Sequence, residues 1–374
     1  MRSPNIRYFP AVDHLRGYAA LLIVFYHGLH LFSYYARFHQ DFGIEHWLQP
    51  GNVFAAALAE GHTAVALFMV LSGFILTYGS LDTAVDYRGF IRNRLLRTYP
   101  LFLLLVFAGI ASAPAEFRWL SFAQTVFGFA NLPGALVAPP FTSMLWTIAV
   151  EWQFYVLFPL LLPVLKRDWP RNLLGLVCVL LLIRVLVVLA GGNPRELAYL
   201  TILGRLDQFL IGMGAAAFFK RYPLSRGSGA LLAGTSLAFA LLALALFNAN
   251  GGWPVVVWWK IFWPTLEGIL WAAFVIGYID CANDARGLWS LLLAKLGEIS
   301  YSIYLIHFLI ITMVINFALP VAFTGRVVVD ALLNTLLLAL PATLLLASLT
   351  YRCVERPFLR LRGRYHRDTV APGP

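Results

Sequence analysis

In the stretch AVDHLRGYAALLIVFYHGLHLF, Asp13, His14 and Arg16 lead into an apolar run that His27 interrupts halfway along. At about 1.5 Å per helical residue, His27 stands about 16 Å along the axis from Arg16, so one helix joins a cation at the membrane surface to an imidazole near the midplane. Ionisable groups at that depth are costly unless they face a polar cavity and find partners, which makes each a candidate for function. Taken alone, Arg16 also reads as a snorkelling anchor and His27 as a packing histidine bonded to a carbonyl. Glu151, in SMLWTIAVEWQFYVLFPLLLP, lies at a comparable depth. It suits a base-and-orienter pair with His27, the carboxylate holding the tautomer while the free ring nitrogen takes a proton, or a counter-ion tying two helices.

Further polar groups enter other apolar segments. ILGRLDQFLIGMGAA carries Arg205, Asp207 and Gln208. Arg205 and Asp207, two positions apart, do not share a helix face and should meet different neighbours, while Gly212 and Gly214 permit close helix packing. LGEISYSIYLIHFLI sets Tyr304 and His307 three apart on one face, where they either line the same cavity as His27 or make structural hydrogen bonds. Arg184 has no partner within its own helix. In FIRNRLLRTYP, Arg94 and Arg97 share a face at the membrane surface with Arg88 and Arg92 nearby, as a bidentate phosphate grip or an ordinary positive-inside cluster. These parts suit an acyl donor whose carrier is a cytoplasmic polyanion such as coenzyme A. The arginines hold its phosphates, its thin arm runs between helices, and His27 deprotonates an acceptor hydroxyl or takes the acyl group itself. The competing reading is a transporter in which His27, Glu151, Arg205 and His307 form a proton relay or a substrate site.

The elements that must position these residues are membrane helices. The 374 residues are 60% hydrophobic and 12% charged, with mean hydropathy +0.75, against roughly 45–50% and about 25% in soluble domains. Segments near 15–36, 54–80, 97–113, 143–165, 172–190, 199–219, 229–248, 258–280, 298–319 and 327–351 are apolar enough to cross. A weaker one, WLSFAQTVFGFANLP at 119–133, reads as re-entrant or interfacial, because counting it as a span would move the downstream basic loops to the outer face. With that count both termini are expected in the cytoplasm. The fold class is all-α, a polytopic bundle of about ten spans plus one short helix, with residues 1–358 as the membrane domain and 359–374 as a solvated basic tail. The first apolar run reads as a retained helix rather than a cleaved signal. Despite the net charge of +10, a chain this apolar is not expected to bind nucleic acid, and its three cysteines offer neither a disulfide framework nor a metal site.

The stretches DHLRGYAALLIVFYHG, LFMVLSGFILTY, RNRLLRTYPLFL, LWTIAVEWQFYVLFPLL, GRLDQFLIGMGAA, LGEISYSIYLIHF and YRCVERPF resemble, in order, those of the acyltransferase-3 family of integral membrane O-acyltransferases, from about Asp13 to Phe358. The resemblance implies that His27 is the essential catalytic residue, with Arg16 supporting the donor or the site and Arg94 and Arg97 serving the donor phosphates or the structure. By the same likeness Glu151 and Glu355 match family glutamates, Glu151 being expected in the catalytic group; from their own positions Arg205, Tyr304 and His307 are expected at the donor or substrate site, with Asp13, Ser72, Asp207 and Glu355 supporting it. His14 departs from the small residue common there, which implies a local difference at the cytoplasmic mouth. The resemblance further implies an acyl group, usually acetyl, taken from acyl-CoA with no bound cofactor and given to a cell-surface polysaccharide, oligosaccharide or glycolipid. It implies a bacterial inner-membrane protein of the stand-alone form, lacking a fused extracytoplasmic domain. Acceptor specificity is expected in the outer loops YYARFHQDFGIEHWLQPGN and NLPGALVAPPFTS.

Overall fold

A computed structural model describes Asn5 and residues 8–367; the remaining residues, including Arg2, Arg7 and the 368–374 part of the expected tail, lie outside the described residues. In chain order the helices are α1 (Pro10–Phe38), α2 (Val53–Ala59), α3 (Thr63–Ser80), α4 (Tyr87–Ser112), α5 (Trp119–Gln124), α6 (Leu145–Arg167) and α7 (Trp169–Leu189). They continue with α8 (Pro194–Leu200), α9 (Ile202–Arg221), α10 (Arg226–Ala249), α11 (Trp263–Ala282), α12 (Leu288–Glu298), α13 (Ser300–Asn316) and α14 (Val327–Leu359), the last running through two wide turns. Nine of these are long and apolar enough to span a bilayer, or ten if α12 and α13 are one broken span bent by 74°. The chain is therefore a polytopic integral membrane protein. Apart from helix there is a two-residue ladder pairing Ala84–Val85 with His366–Arg367.

Polar residues set the helix starts, since the first backbone N–H groups lack intrahelical partners. Asp86 accepts from Gly89 N at 2.8 Å to start α4, and Asn193, Thr201 and Ser225 do the same for α8, α9 and α10. α3 lies at the centre, with 78% of its most apolar stretch buried against 17% for α7, which therefore faces lipid. Glycine allows α3 and α9 to touch backbone to backbone: a Cβ on Gly73 would come within 2.1 Å of Phe209 O, and one on Gly212 within 2.2 Å of Val70 O. α12 crosses α1 as closely, because a Cβ on Gly297 would sit 2.0 Å from Asp13 O. That crossing brings the bend between α12 and α13 beside Arg16.

The structure departs from the sequence reading in three places and agrees with it at a fourth. The span expected over 54–80 is two helices, because the chain turns at Glu60–His62 between α2 and α3. The span expected over 298–319 is the second limb of the bent α12–α13 pair. Segment 119–133, which reads as too weak for a span, does form only the six-residue α5 and one wide turn broken at Gly128 (φ +88°), too short to cross. The described part of the expected solvated tail is packed: Tyr365 is 1% exposed, its N–H donates to Asn5 Oδ1 at 2.9 Å, and Gly363 O accepts from Asn93 Nδ2 at 2.7 Å. The backbone of 363–367 has ladder partners at 84–86, just before α4, and side-chain partners in Asn93 of α4 and Asn5, so this strap joins the two ends of the described chain at one end of the bundle.

Candidate active site

A series of three cavities runs through the bundle from that end. The first, about 370 Å³, is lined by Asp13, Arg16, Arg94, Arg97, Glu355 and Arg362, among others. The second, about 90 Å³, shares Arg16, Ile75, Arg94 and Arg97 with the first and adds Ser72, Glu151 and Tyr155. The third, about 310 Å³, shares Val65 and Tyr304 with the second and holds His27, His30, His62 and Arg205 among aromatic walls. Arg16 and His27, eleven residues apart on α1, thus line successive parts of one passage.

His27 is held in one tautomer by its neighbours. A carbonyl oxygen only accepts, so His307 Nδ1 carries a hydrogen and donates to Ile303 O at 3.1 Å. Neutral His307 then has its lone pair on Nε2, which accepts from His27 Nδ1 at 2.9 Å; the same His27 nitrogen lies 3.2 Å from Ile23 O. This assignment, made from the network, leaves the lone pair of His27 on Nε2, which bonds to no described residue. Tyr26 and Phe308 pack edge-on against the imidazole, with centroids at 4.6 and 5.3 Å. The arrangement is a fixed, half-buried base in a largely apolar chamber.

Glu151 is not the orienter of His27. Its Oε1 accepts from Ser72 Oγ at 3.1 Å and from Tyr155 OH, one helix turn away, so it belongs to the middle cavity beside Arg16. His307 fills the orienting position from behind: it is fully buried and lines none of the three cavities, so it does not serve as the substrate-lining residue its spacing suggested. Tyr304, one turn earlier on α13, stands at the junction of the middle and third cavities.

At the basic end Arg94 and Arg97 both face the cavities, whereas Arg88 and Arg92 are exposed. Arg94 is buried between the Phe90 and Tyr155 rings, 5.6 and 5.5 Å away, and its Nε has no hydrogen-bond partner among the described residues. Neither arginine forms an ion pair with any described residue. Arg16 stands only 3.5 Å from Asp13 Oδ1. Arg362, from the strap, adds a cation that the sequence reading did not single out; burial and the guanidiniums of Arg97 and Arg94 bring its pKa down to about 10. Arg94, buried, and the half-buried Arg97 and Arg362 form no ion pair with a described residue and face a cavity, an arrangement suited to a polyanion. Glu355 accepts from Ser302 and closes one wall of this cavity. His14 is not at the mouth: it is buried with Nε2 2.9 Å from Ser290 Oγ.

Arg205 and Asp207 do meet different helices. Asp207 pairs at 2.8 Å with Arg184, both fully buried, which supplies the partner that Arg184 lacked in its own helix. Arg184 also donates to Leu203 O at 2.7 Å, Gly204 O at 3.0 Å and Ile261 O at 2.9 Å, so it pins α7, α9 and the start of α11 and lines none of the three cavities. Arg205 donates to Tyr199 O at 3.1 Å, lies 4.5 Å from the Tyr199 ring and 3.8 Å from Glu267 Oε2, and contributes to the third cavity's wall.

Sequence reasoning missed a second polar group around that third cavity. Glu60 is fully buried in the turn between α2 and α3, with His62 Nε2 2.9 Å from its Oε2 and Tyr199 OH against the His62 ring. Its signal was the charged EGH triplet inside the run 54–80, hidden by reading that run as one helix. Lys260, just before α11, is fully buried, and burial lowers its pKa to about 8. Of the two loops expected to set specificity, 34–52 supplies Phe42, Ile44 and Trp47 to the third cavity. Loop 131–143 instead lines a separate, open cavity of about 670 Å³ that meets the third only at Trp146 and Leu200. The loop that carries Trp253, at 250–257, went unnamed.

Residues 9–352 match the family described as "Acyltransferase domain". Among curated relatives, the chain is 26% identical to "Acyltransferase MdmB" of Streptomyces mycarofaciens, over 99% of this chain and 97% of the relative. It is 25% identical to "O-acetyltransferase OatA" of Staphylococcus aureus, over 97% of this chain but 58% of the relative, so it spans little more than half of that protein. No solved structure matches the chain.

Proposed function

The chain belongs to the acyltransferase-3 family, and from that premise we propose that it moves an acyl group, usually acetyl, from cytoplasmic acyl-CoA to a hydroxyl of a cell-surface glycan or glycolipid. The observation that carries this reading is the passage itself: guanidiniums of Arg94, Arg97 and Arg362 that pair with no described carboxylate at one end, a narrow middle, and a base whose lone pair bonds to no described residue in the chamber beyond. Arg94, Arg97 and Arg362 would grip the donor's phosphates by charge-assisted hydrogen bonds. Its thin arm would pass Arg16, Ser72 and Glu151, and its thioester carbonyl would reach Tyr304 and His27. There His27 Nε2 takes the proton of the acceptor hydroxyl as the oxygen attacks the carbonyl carbon. The carbon–sulfur bond breaks, and the imidazolium returns the proton to the departing thiolate, leaving an ester and a free thiol. The basic end of the bundle would face the cytoplasm of a bacterial inner membrane, as the charge asymmetry of the loops favours. The OatA name, O-acetyltransferase, supports transfer to oxygen.

The test is the purified protein in proteoliposomes, supplied with radiolabelled acetyl-CoA and a panel of cell-wall and lipopolysaccharide fragments, with free thiol and labelled ester both followed. His27→Ala should cost about 100-fold or more in rate, and Arg97→Ala should raise the donor KM about tenfold. Transfer unchanged in His27→Ala would overturn the reading. A labelled His27 isolated with acceptor withheld would replace direct transfer with an acyl-enzyme route.

A further inference from the structure

Two buried charges have no part in that chemistry. Neither Glu60 nor Lys260 lines the third cavity, yet each holds one of its tryptophans. Glu60 Oε1 accepts from Trp47 Nε1 at 2.7 Å and from Asn248 Nδ2 at 2.7 Å, while Oε2 faces His62. Lys260 Nζ donates to Gly252 O and Trp253 O, each at 2.7 Å, and to Val255 O, so it gathers the carbonyls of the loop that presents Trp253. Gly252, at φ +63°, lies where the two groups meet. A Cβ there would stand 2.2 Å from Glu60 Oε1 and 2.5 Å from Trp47 Nε1, so a side chain would break the contact.

Each indole is also held from a second direction. Trp47 stacks on His30 at 4.1 Å and 27°, and His30 Nε2 is tied to Ala59 O at 2.9 Å. Trp253 lies under the Arg195 guanidinium at 5.0 Å, and Arg195 donates to Pro254 O at 2.9 Å. The two rings stand 6.0 Å apart, tilted by 37°, on the wall of the chamber that contains His27. Apolar side chains would pack these helices without the desolvation cost of two buried charges. What the charges add is a fixed direction for two flat apolar surfaces.

We propose that this chamber is the acceptor subsite, that it receives one pyranose ring against Trp47 and Trp253, and that Glu60 and Lys260 are positioning residues for that aromatic wall. The inference rests on the acyl-transfer reading above and adds the acceptor's shape. A pyranose presents a rigid face of C–H groups to an indole and hydroxyls at its rim, where His27, His62 and Tyr199 stand. An open-chain polyol with the same hydroxyls presents no such face. At about 310 Å³ the chamber is at the lower end of the range for ligand pockets, which fits one ring rather than a chain of them.

The experiment compares methyl glucopyranoside with sorbitol as acceptors for the full-length protein in proteoliposomes with acetyl-CoA. The expected parent kcat/KM is about tenfold or more higher for the pyranoside. Trp47→Ala and Trp253→Ala should each raise the pyranoside KM about five- to tenfold, with the change falling on the acceptor KM and not on the donor KM. Glu60→Ala should match Trp47→Ala, the double variant should be no worse than either single one, and Glu60→Gln should recover the parent KM, because its amide oxygen still accepts from Trp47. If Glu60→Ala does not fold, Glu60→Gln and the tryptophan variants carry the test. Equal use of both acceptors, no transfer to the pyranoside while acetyl-CoA is hydrolysed, or tryptophan variants with parental acceptor KM would each overturn the proposal. All three leave the His27 requirement standing, whereas a fully active His27→Ala would remove the acyl-transfer reading itself.

Discussion

Replacing His307 tests the tautomer argument directly. His307 is buried behind the half-buried His27, with His27 Nδ1 2.9 Å from His307 Nε2 and the weaker alternative, Ile23 O, at 3.2 Å. In the resting enzyme this is a neutral hydrogen bond, with a net contribution of about 1 kcal/mol; when His27 takes the acceptor proton it becomes charge-assisted and contributes about 1.5–3 kcal/mol. Only the difference, about 0.5–2 kcal/mol, favours the transition state over the ground state, so removing the partner should lower kcat about 2- to 30-fold. That is far less than the loss of the base itself, about 10²–10⁴-fold. His307→Asn keeps an amide near the Nδ1 position, able to donate to Ile303 O, and removes the acceptor for His27; it should show the loss. His307→Gln sets an amide oxygen near the Nε2 position and should recover most of it. The assay is initial-rate thiol release from acetyl-CoA in the presence of acceptor, at saturating donor, with the donor KM measured alongside. A parental kcat in His307→Asn would refute the orienting role. A changed donor KM with an intact kcat would return His307 to the substrate site.

Two further outcomes follow from the buried charges. Asp207→Ala leaves the fully buried Arg184 without its 2.8 Å partner and should cost about 3 kcal/mol or more of stability, read as a fall in thermal midpoint in detergent; Arg184→Met with Asp207→Leu should recover much of it, and a single variant as stable as the parent would show the pair to be dispensable. Lys260 has a folded pKa of about 8, lowered by burial from its ordinary value. The unfolded chain therefore holds this proton over a range where the folded one has shed it, and stability should rise with pH from about 8 to about 10. Lys260→Met should flatten that slope in thermal melts across the range, and an unchanged slope would count against the shift.

Much of the protein is legible in one dimension because lipid is a strict solvent. A bilayer leaves no water for backbone groups, so the apolar lengths of α1, α4, α6, α7, α9, α10 and α11 stand in the sequence as helices. The same cost singles out Arg16, His27, Glu151 and Arg205, since a charge or imidazole in such a run needs a reason to be there. The spacing of Arg205 and Asp207 was enough to send them to different neighbours, because residues two apart on a helix point away from each other. What the sequence does not contain is the relative rotation and depth of two helices, and every partnership in the site depends on these. Depth alone paired Glu151 with His27, but the rotation of α6 turns the carboxylate toward Ser72 and the middle cavity, while α13 brings His307 behind the imidazole. Glu60 escaped notice because hydropathy averages over a window, and a three-residue turn between two apolar helices scarcely lowers the mean. The sequence by itself determined a helical membrane protein with a cation and a histidine at two heights on one helix. Only the packing decided which groups face the passage and which hold its walls, because side-chain contacts across helices are fixed by tertiary geometry and not by spacing along any one of them.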